Sequence, residues 1–167
     1  MSRSFDFSVE SSVSVEQIHG AFSEEDYWLD RLAAYGGKGT LDSFDAGPGG
    51  VVQLVVVHDL RNVLLPKPFG RLYPRDLEIV QDETWSLVLG VGIRGEVRTE
   101  ARGIPGSGVG TVMMAPSGDG SRLKYYGTVK FKVPLVGGTL ETILSRQTVE
   151  ETPEMLRFTT KWIEEHA

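Results

Sequence analysis

The chain has 167 residues, a formal net charge of -6, 40% hydrophobic residues and no cysteine. This length fits one domain over residues 1–167 that buries roughly 70% of the surface of the unfolded chain. The lack of cysteine excludes disulfides and thiolate metal sites, and the acidic balance argues against nucleic-acid binding, which needs clustered Lys and Arg.

The N-terminal residues show no targeting segment. Arg3, Asp6 and Glu10 interrupt the apolar residues there, so a signal-peptide core is missing. No stretch approaches the roughly 18 apolar residues of a membrane-spanning helix. We therefore expect a cytoplasmic protein without stable membrane insertion.

The first part of the chain predicts one strand and two short helices. Phe5, Phe7 and Val9 alternate with polar residues, as in a half-buried strand. The pairs Ser14–Gln17 and Ser23–Asp26 have the spacing of helix N-terminal capping residues. The two helices are predicted to end near residues 22 and 36.

Strands dominate the middle of the chain. Residues 40–45 and 51–59, joined by the Gly-Pro-Gly-Gly turn at 47–50, predict a hairpin. Three prolines within 61–75 predict an irregular crossing. Four strands of an antiparallel meander follow up to residue 133, and their alternation of apolar and polar residues indicates one buried face.

Glycines and one carboxylate complicate this meander. Gly106, Gly108 and Gly110 are interpreted as a mobile loop between two strands. Glu83 shares the parity of the apolar residues Ile79 and Trp85, which directs it inward, where the pKa of a carboxyl rises. We favour the alternative in which a twist at the strand end turns Glu83 to solvent.

A long helix closes the chain. Apolar residues at helical spacing after residue 139 form a stripe that must pack against a sheet. The polar residues Gln147, Thr148 and Glu151 interrupt this stripe, and Pro153 predicts a kink or a restart with Thr152 as the N-cap. Either these polar groups orient a bound molecule beneath a bent lid, or water solvates them.

Two apparent motifs are set aside. Gly90–Gly95 matches G-x-G-x-x-G, but residues 96–102 alternate as a strand where a dinucleotide site needs a helix. A bulged or bent strand accounts for its glycines. The three histidines lack metal-ligand spacing, and His58–Asp59 is interpreted as a surface or structural pair. We therefore predict neither a metal nor a cofactor.

Several blocks of the chain resemble a known superfamily. They are Leu77–Val80 with Trp85, Gly95, Gly103–Pro105, Ser117–Gly120, and Val133–Gly138 with Glu141. Together with the element order they resemble the START and pollen-allergen-like (SRPBCC) superfamily, and within it an actinobacterial family of unknown function. The resemblance implies an α+β helix-grip fold, in which a curved antiparallel sheet of six or seven strands wraps around the long C-terminal helix. It also implies an apolar cavity of the kind that holds lipids, sterols, hormones or polyketides in related families, without a family-wide catalytic motif.

The predicted site is an apolar chamber with a few polar groups. Its predicted ligand-binding residues are Glu83, Trp85, Val97, Met114, Tyr125, Phe131, Leu144, Gln147, Glu151 and Met155. The leading hypothesis is a non-catalytic carrier or sensor of a hydrophobic or amphipathic small molecule. Two alternatives stay open: a cyclase or dehydratase that uses cavity acid-base residues, and a partner-binding module with a filled interior. The sequence also leaves a homodimer open.

Overall fold

The computed structural model describes residues 2–35, 39–59 and 78–167. Its elements confirm the expected α+β order of one strand, two short helices, a sheet and a long final helix. They are β1 (Arg3–Ser11), α1 (Val15–Phe22), α2 (Glu25–Ala34), β2 (Gly39–Ala46), β3 (Val51–Asp59), β4 (Glu78–Val88), β5 (Gly92–Arg102), β6 (Gly106–Ser117), β7 (Gly120–Phe131) and α3 (Gly137–Glu165).

The seven strands form one antiparallel sheet in the order β1-β7-β6-β5-β4-β3-β2. Strands β2 to β7 are therefore a meander, and β1 pairs with the last strand, from Arg3 opposite Val129 to Ser11 opposite Ser121. Helix α3 packs against β1 and β7, and α1 and α2 lie beside it. Within the described residues, no helix combines the length and apolar character needed to cross a membrane.

One of the two predicted helix caps is confirmed. The backbone N–H of Gln17 donates to Ser14 Oγ at 3.2 Å, and the backbone N–H of Ser14 donates to Gln17 Oε1 at 3.0 Å. The prediction for Ser23 is wrong, because both its hydroxyl and its backbone N–H donate to the carbonyl of His19 at the end of α1. Helix α2 begins at Glu25 without a side-chain cap.

Helix α3 is continuous through Pro153, so the predicted restart at Thr152 is wrong. The Thr152 hydroxyl donates to the Thr148 carbonyl at 2.7 Å, inside the helix, and therefore caps no new one. Proline removes the N–H that would pair with the carbonyl of Val149. Val149 is exposed, so water can hydrate that carbonyl without breaking the helix.

Two interpretations of glycine-rich segments are wrong. Strand β6 begins at Gly106, so Gly106, Gly108 and Gly110 belong to the sheet and form no mobile loop. The segment Gly90–Gly95 contains the β4–β5 hairpin turn, with positive φ at Gly90 and Gly92, and Val88 pairs with Gly92 in regular register without a bulge. The predicted crossing at 61–75, the helix end at 36–37 and Leu77 lie outside the described residues.

The concave face of the sheet places aromatic rings over glycines. Trp85 on β4 lies directly opposite Gly95 on β5, and Phe131 on β7 lies opposite Gly106 on β6. A Cβ at either glycine would come within 3.0 Å of the ring and overlap it. These positions therefore need glycine because of the close approach of a ring.

An aromatic cluster of Phe22, Tyr27, Trp28, Trp85 and Trp162 joins the three helices to the sheet. Its polar atoms are hydrogen bonded: Trp28 Nε1 donates to the Phe22 carbonyl at 2.8 Å, and the Tyr27 hydroxyl lies 2.7 Å from the Thr159 hydroxyl. This cluster fixes the C-terminal half of α3 against α2.

The turn between β7 and α3 is held by a buried carboxylate. Glu141 is only 3% exposed, and its Oε2 accepts a hydrogen bond of 2.9 Å from the backbone N–H of Phe131. A Cβ at Gly137 would overlap the Phe131 carbonyl, so the chain passes closely there. The block Val133–Gly138 with Glu141 thus has a structural role in starting α3.

Replacing Gly95 by alanine tests the contact between ring and glycine. The added Cβ overlaps Trp85, so we expect Gly95→Ala to lower the free energy of unfolding by about 1–3 kcal/mol. Gly20→Ala is the matched control, because Gly20 is an exposed residue of α1 with nothing near its Cβ position. It should raise stability by about 0.5–1 kcal/mol. Urea denaturation measures both, and equal effects would contradict the packing account.

Glu141→Ala tests the anchor of α3. It leaves the buried N–H of Phe131 without its acceptor, so we expect a loss of about 1–3 kcal/mol in the free energy of unfolding. Glu150→Ala removes an exposed carboxylate from the same helix and should change stability by less than about 0.5 kcal/mol. Thermal unfolding followed by circular dichroism compares them; equal stability of the two variants argues against the anchor.

Candidate functional site

A central cavity lies between the sheet and α3. It has a volume of about 170 Å³, and its lining includes Arg31, Glu83, Trp85, Tyr125 and Leu156. Gly108 and Gly110 of β6 also border it. A Cβ at Gly110 would overlap the Tyr125 ring, and a Cβ at Gly108 would overlap Thr99 Oγ1, so neighbouring side chains approach the backbone of β6 closely at both positions.

An end cavity of about 290 Å³ adjoins the central one. It is lined by residues that include Tyr35, His58, Phe131, Leu144 and Gln147. The two cavities share the lining residues Gln81, Thr99, Val129, Thr148, Glu151 and Met155. The interior between sheet and helix is therefore not filled.

All ten predicted site residues border these cavities. Glu83, Trp85, Val97, Met114 and Tyr125 line the central cavity. Phe131, Leu144 and Gln147 line the end cavity. Glu151 and Met155 line both. That these residues bind a ligand stays a prediction.

Glu83 is buried in the cavity wall, so the expectation that a twist turns it to solvent is wrong. It is 3% exposed and lies between Leu54 and Val97 on the neighbouring strands. Trp85 Nε1 donates to Oε1 and Gln81 Nε2 donates to Oε2, both at 3.1 Å. Burial raises the pKa of the Glu83 carboxyl, and the charge of Arg31 opposes part of that rise.

Arg31 is a cavity residue that the sequence reasoning missed. Its guanidinium lies 5.0 Å from the centre of the Trp28 ring, with Nη1 at 3.5 Å from the Tyr27 hydroxyl and Nη2 at 2.7 Å from Met155 Sδ. Its position three and four residues after the buried Trp28 and Tyr27 places it on the same helix face. This spacing is the feature of the sequence from which the inward position of Arg31 could have been predicted.

Two other cavity groups have shifted pKa values. Burial raises the pKa of the Tyr125 hydroxyl, and the nearby Glu83 raises it further, so this group stays protonated at neutral pH. Burial lowers the pKa of His58, and Arg31 lowers it further. The interior therefore favours a neutral phenol and a neutral imidazole.

The polar middle of α3 faces the cavities. Gln147 and Thr148 are half-buried, and Thr148 uses its hydroxyl on the Leu144 carbonyl at 2.9 Å. Glu151 is exposed but borders both cavities, and partial burial together with Glu154 raises the pKa of its carboxyl. These groups lie at the boundary between the interior and water.

No metal centre is formed by the part of the chain that the structure describes, since no group of three His, Asp or Glu side chains there is arranged to hold an ion. The described lining of the two cavities supplies one guanidinium (Arg31), three carboxyls (Asp59, Glu83 and Glu151), one imidazole (His58), and hydroxyl and amide groups within apolar walls. This arrangement can orient a small organic molecule and exchange a proton with it.

The antiparallel sheet wrapped on a long C-terminal helix confirms the helix-grip fold that the resemblance implied. The chain belongs to the family described as "Protein of unknown function (DUF2505)", whose profile matches residues 6–163. An uncharacterized protein of Mycobacterium tuberculosis is 33% identical over 98% of both chains.

Two solved structures show the same fold. A point mutant of norcoclaurine synthase from Thalictrum flavum, in complex with a transition state analogue, has a TM-score of 0.58 at 16% identity and covers 99% of this chain and 96% of that chain. The di-domain ARO/CYC StfQ from the steffimycin biosynthetic pathway has a TM-score of 0.56 at 15% identity, covering 99% of this chain and 52% of that chain.

Glu83→Gln tests the buried carboxyl through the pH dependence of stability. A raised pKa means that the folded protein holds this proton more tightly than the unfolded chain. Its contribution to stability is therefore complete below the ordinary pKa of 4.5 and is lost as pH rises through the raised value. Glutamine cannot ionise, so the stability of Glu83→Gln relative to the parent should improve as pH rises.

Urea denaturation at intervals between about pH 4 and about pH 8 measures this difference. Glu100→Gln, at an exposed position on β5, is the matched control and should show no such trend. A difference between Glu83→Gln and the parent that is constant with pH would contradict the proposed burial of the carboxyl.

Proposed function

We propose that this protein binds and carries a hydrophobic or amphipathic small molecule between its sheet and α3. The observation that carries this proposal is the pair of adjoining cavities, of about 170 and 290 Å³, inside an otherwise packed domain. Taken together they fall within the range of ligand sites, about 300–1,000 Å³. The partner-binding alternative requires a filled interior, which these cavities do not provide.

The lining supports an apolar ligand with few polar groups. Trp85, Val97 and Met114 are each nearly inaccessible to solvent and give the central cavity apolar walls. Ligand sites of this kind combine such walls with a small number of placed polar groups. A norcoclaurine synthase of the same fold is known in complex with a transition state analogue, which supports the binding of a small molecule by this fold.

Acid-base catalysis, as in a cyclase or dehydratase, is the second candidate function. The observation that favours it is Glu83, whose raised pKa suits proton transfer, in the same cavity as Tyr125. A carrier releases its ligand unchanged, whereas a dehydratase releases a product that has lost water. Mass spectrometry of a compound recovered from the protein after incubation distinguishes the two, with Glu83→Gln as the inactive comparison.

Native mass spectrometry and a fluorescent probe test the carrier proposal. Protein purified under native conditions should retain an apolar molecule that denaturation releases. After removal of that molecule, N-phenyl-1-naphthylamine, a neutral apolar probe, should bind with increased fluorescence. Absence of both a retained molecule and probe binding would contradict the proposed function.

A cavity-filling variant locates the probe. Val97→Phe adds a ring to the wall of the central cavity, so we expect the Kd for N-phenyl-1-naphthylamine to rise about tenfold, or 1.4 kcal/mol. Val91→Phe makes the same change at the exposed β4–β5 turn and should leave the Kd unchanged. Equal Kd values for the two variants would place the probe outside the cavity.

A further inference from the structure

We propose that the ligand of the central cavity carries one carboxylate and that Arg31 binds it. This inference rests on the proposed function and adds the chemical class of the ligand. The ligand would then be an amphipathic acid, whose apolar body lies between the sheet and α3 and whose carboxylate points to Arg31 on α2.

The first step is the environment of the guanidinium. Among the described residues, no carboxylate oxygen forms an ion pair with Arg31, although Glu83 lines the same cavity. Its described acceptors are the Tyr27 hydroxyl and the thioether of Met155. A thioether is a weak acceptor, and guanidinium has five N–H donors, so donors are left for a ligand in the cavity.

The second step is the direction of the hydrogen bonds around Tyr27. The Thr159 hydroxyl donates to the Met155 carbonyl at 2.7 Å, so its oxygen accepts the proton of the Tyr27 hydroxyl. The Tyr27 oxygen is thereby left to accept from Arg31. This chain and the Trp28 ring hold the guanidinium in one place, which lowers the entropic cost of binding an anion.

The third step is the position of Glu83. Gln81 and Trp85, on the same strand, donate hydrogen bonds to its two carboxyl oxygens. Glu83 therefore forms its hydrogen bonds along β4 and none with Arg31. Burial raises the pKa of this carboxyl, and the charge of Arg31 opposes part of that rise without an ion pair between the two groups. Among the described residues, neither Glu83 nor Glu151 of this cavity wall forms an ion pair with Arg31, and a mostly buried cation is costly unless it is paired.

Charge and shape select a carboxylate as the partner. The planar guanidinium matches a carboxylate with two parallel hydrogen bonds. A single negative charge balances the single cation, whereas a phosphate monoester would bring excess negative charge into apolar walls. A neutral alcohol would leave the charge of Arg31 uncompensated.

Competition between a matched acid and alcohol tests the inference. N-phenyl-1-naphthylamine is bound first and then displaced by dodecanoate or by dodecan-1-ol, which differ only in the head group. We expect the parent protein to bind dodecanoate about tenfold more tightly than dodecan-1-ol. Arg31→Met keeps an unbranched side chain against Tyr27 and removes the charge, so the preference should fall to within about twofold.

Three comparisons make the outcome specific to Arg31. Arg94→Met removes an exposed arginine from the outer face of β5 and should keep the preference for dodecanoate. Arg31→Lys keeps the charge and should retain part of it. A cooperative thermal unfolding transition of Arg31→Met, followed by circular dichroism, shows that its fold persists.

The two proposals fail in different ways. Probe binding without any preference for dodecanoate, or a preference that survives in Arg31→Met, overturns the carboxylate inference and leaves the carrier function standing. Failure of the parent protein to bind the probe or either dodecyl compound overturns the carrier function together with the inference.

Discussion

The interior depends on the contact of aromatic rings with glycines on the concave face of the sheet. The four pairs are Trp85 with Gly95, Phe131 with Gly106, Phe5 with Gly127 and Tyr125 with Gly110. Each ring occupies the volume that a Cβ on the adjacent strand would take. A large ring can therefore pack flat against the sheet at these positions only if the adjacent residue is glycine. Strand β6, which contains Gly106 and Gly110, also borders the central cavity at Gly108 and Gly110.

Buried polar groups in this interior are supported by their neighbours in sequence. Gln81, Glu83 and Trp85 alternate along β4 and point inward together, so both carboxyl oxygens of Glu83 find donors two residues away. Arg31 is supported instead by helix α2 and by Met155 of α3. Because the Glu83 carboxyl and the Arg31 guanidinium each have hydrogen-bond partners of their own, neither has to pair with the other. The Arg31 guanidinium and the Glu83 carboxyl therefore remain separately available to a molecule between them, which a direct ion pair would prevent.

Strand alternation explains why the cavity residues could be predicted from the sequence. Side chains alternate between the two faces of a strand with a period of two residues. This alternation identifies inward-facing residues such as Val97 and Tyr125 even when the residues they contact are unknown. The predictions that were wrong or incomplete concern residues whose environment is set by side chains far away in the sequence. The glycines from Gly106 onward suggest a loop because glycine disfavours strands. The side chains that the sheet brings close to them explain them instead: Phe131 lies at Gly106 and Tyr125 at Gly110. Arg31 was missed because arginine on a short helix is normally exposed, and the cavity that receives it belongs to other elements.

Helix α3 can hold polar groups over the cavity because its two ends are fixed independently. Its start is anchored by Glu141 on the Phe131 backbone, and its far half by Tyr27 on Thr159 and by Asp30, which accepts a 2.9 Å hydrogen bond from Trp162 Nε1. Helix stability in proteins comes mainly from packing of this kind. The segment between the anchors, from Gln147 to Glu151, is therefore freed from the need to bury an apolar stripe. A proline immediately beyond this segment is tolerated for the same reason, since the contacts that hold the helix lie on either side of it.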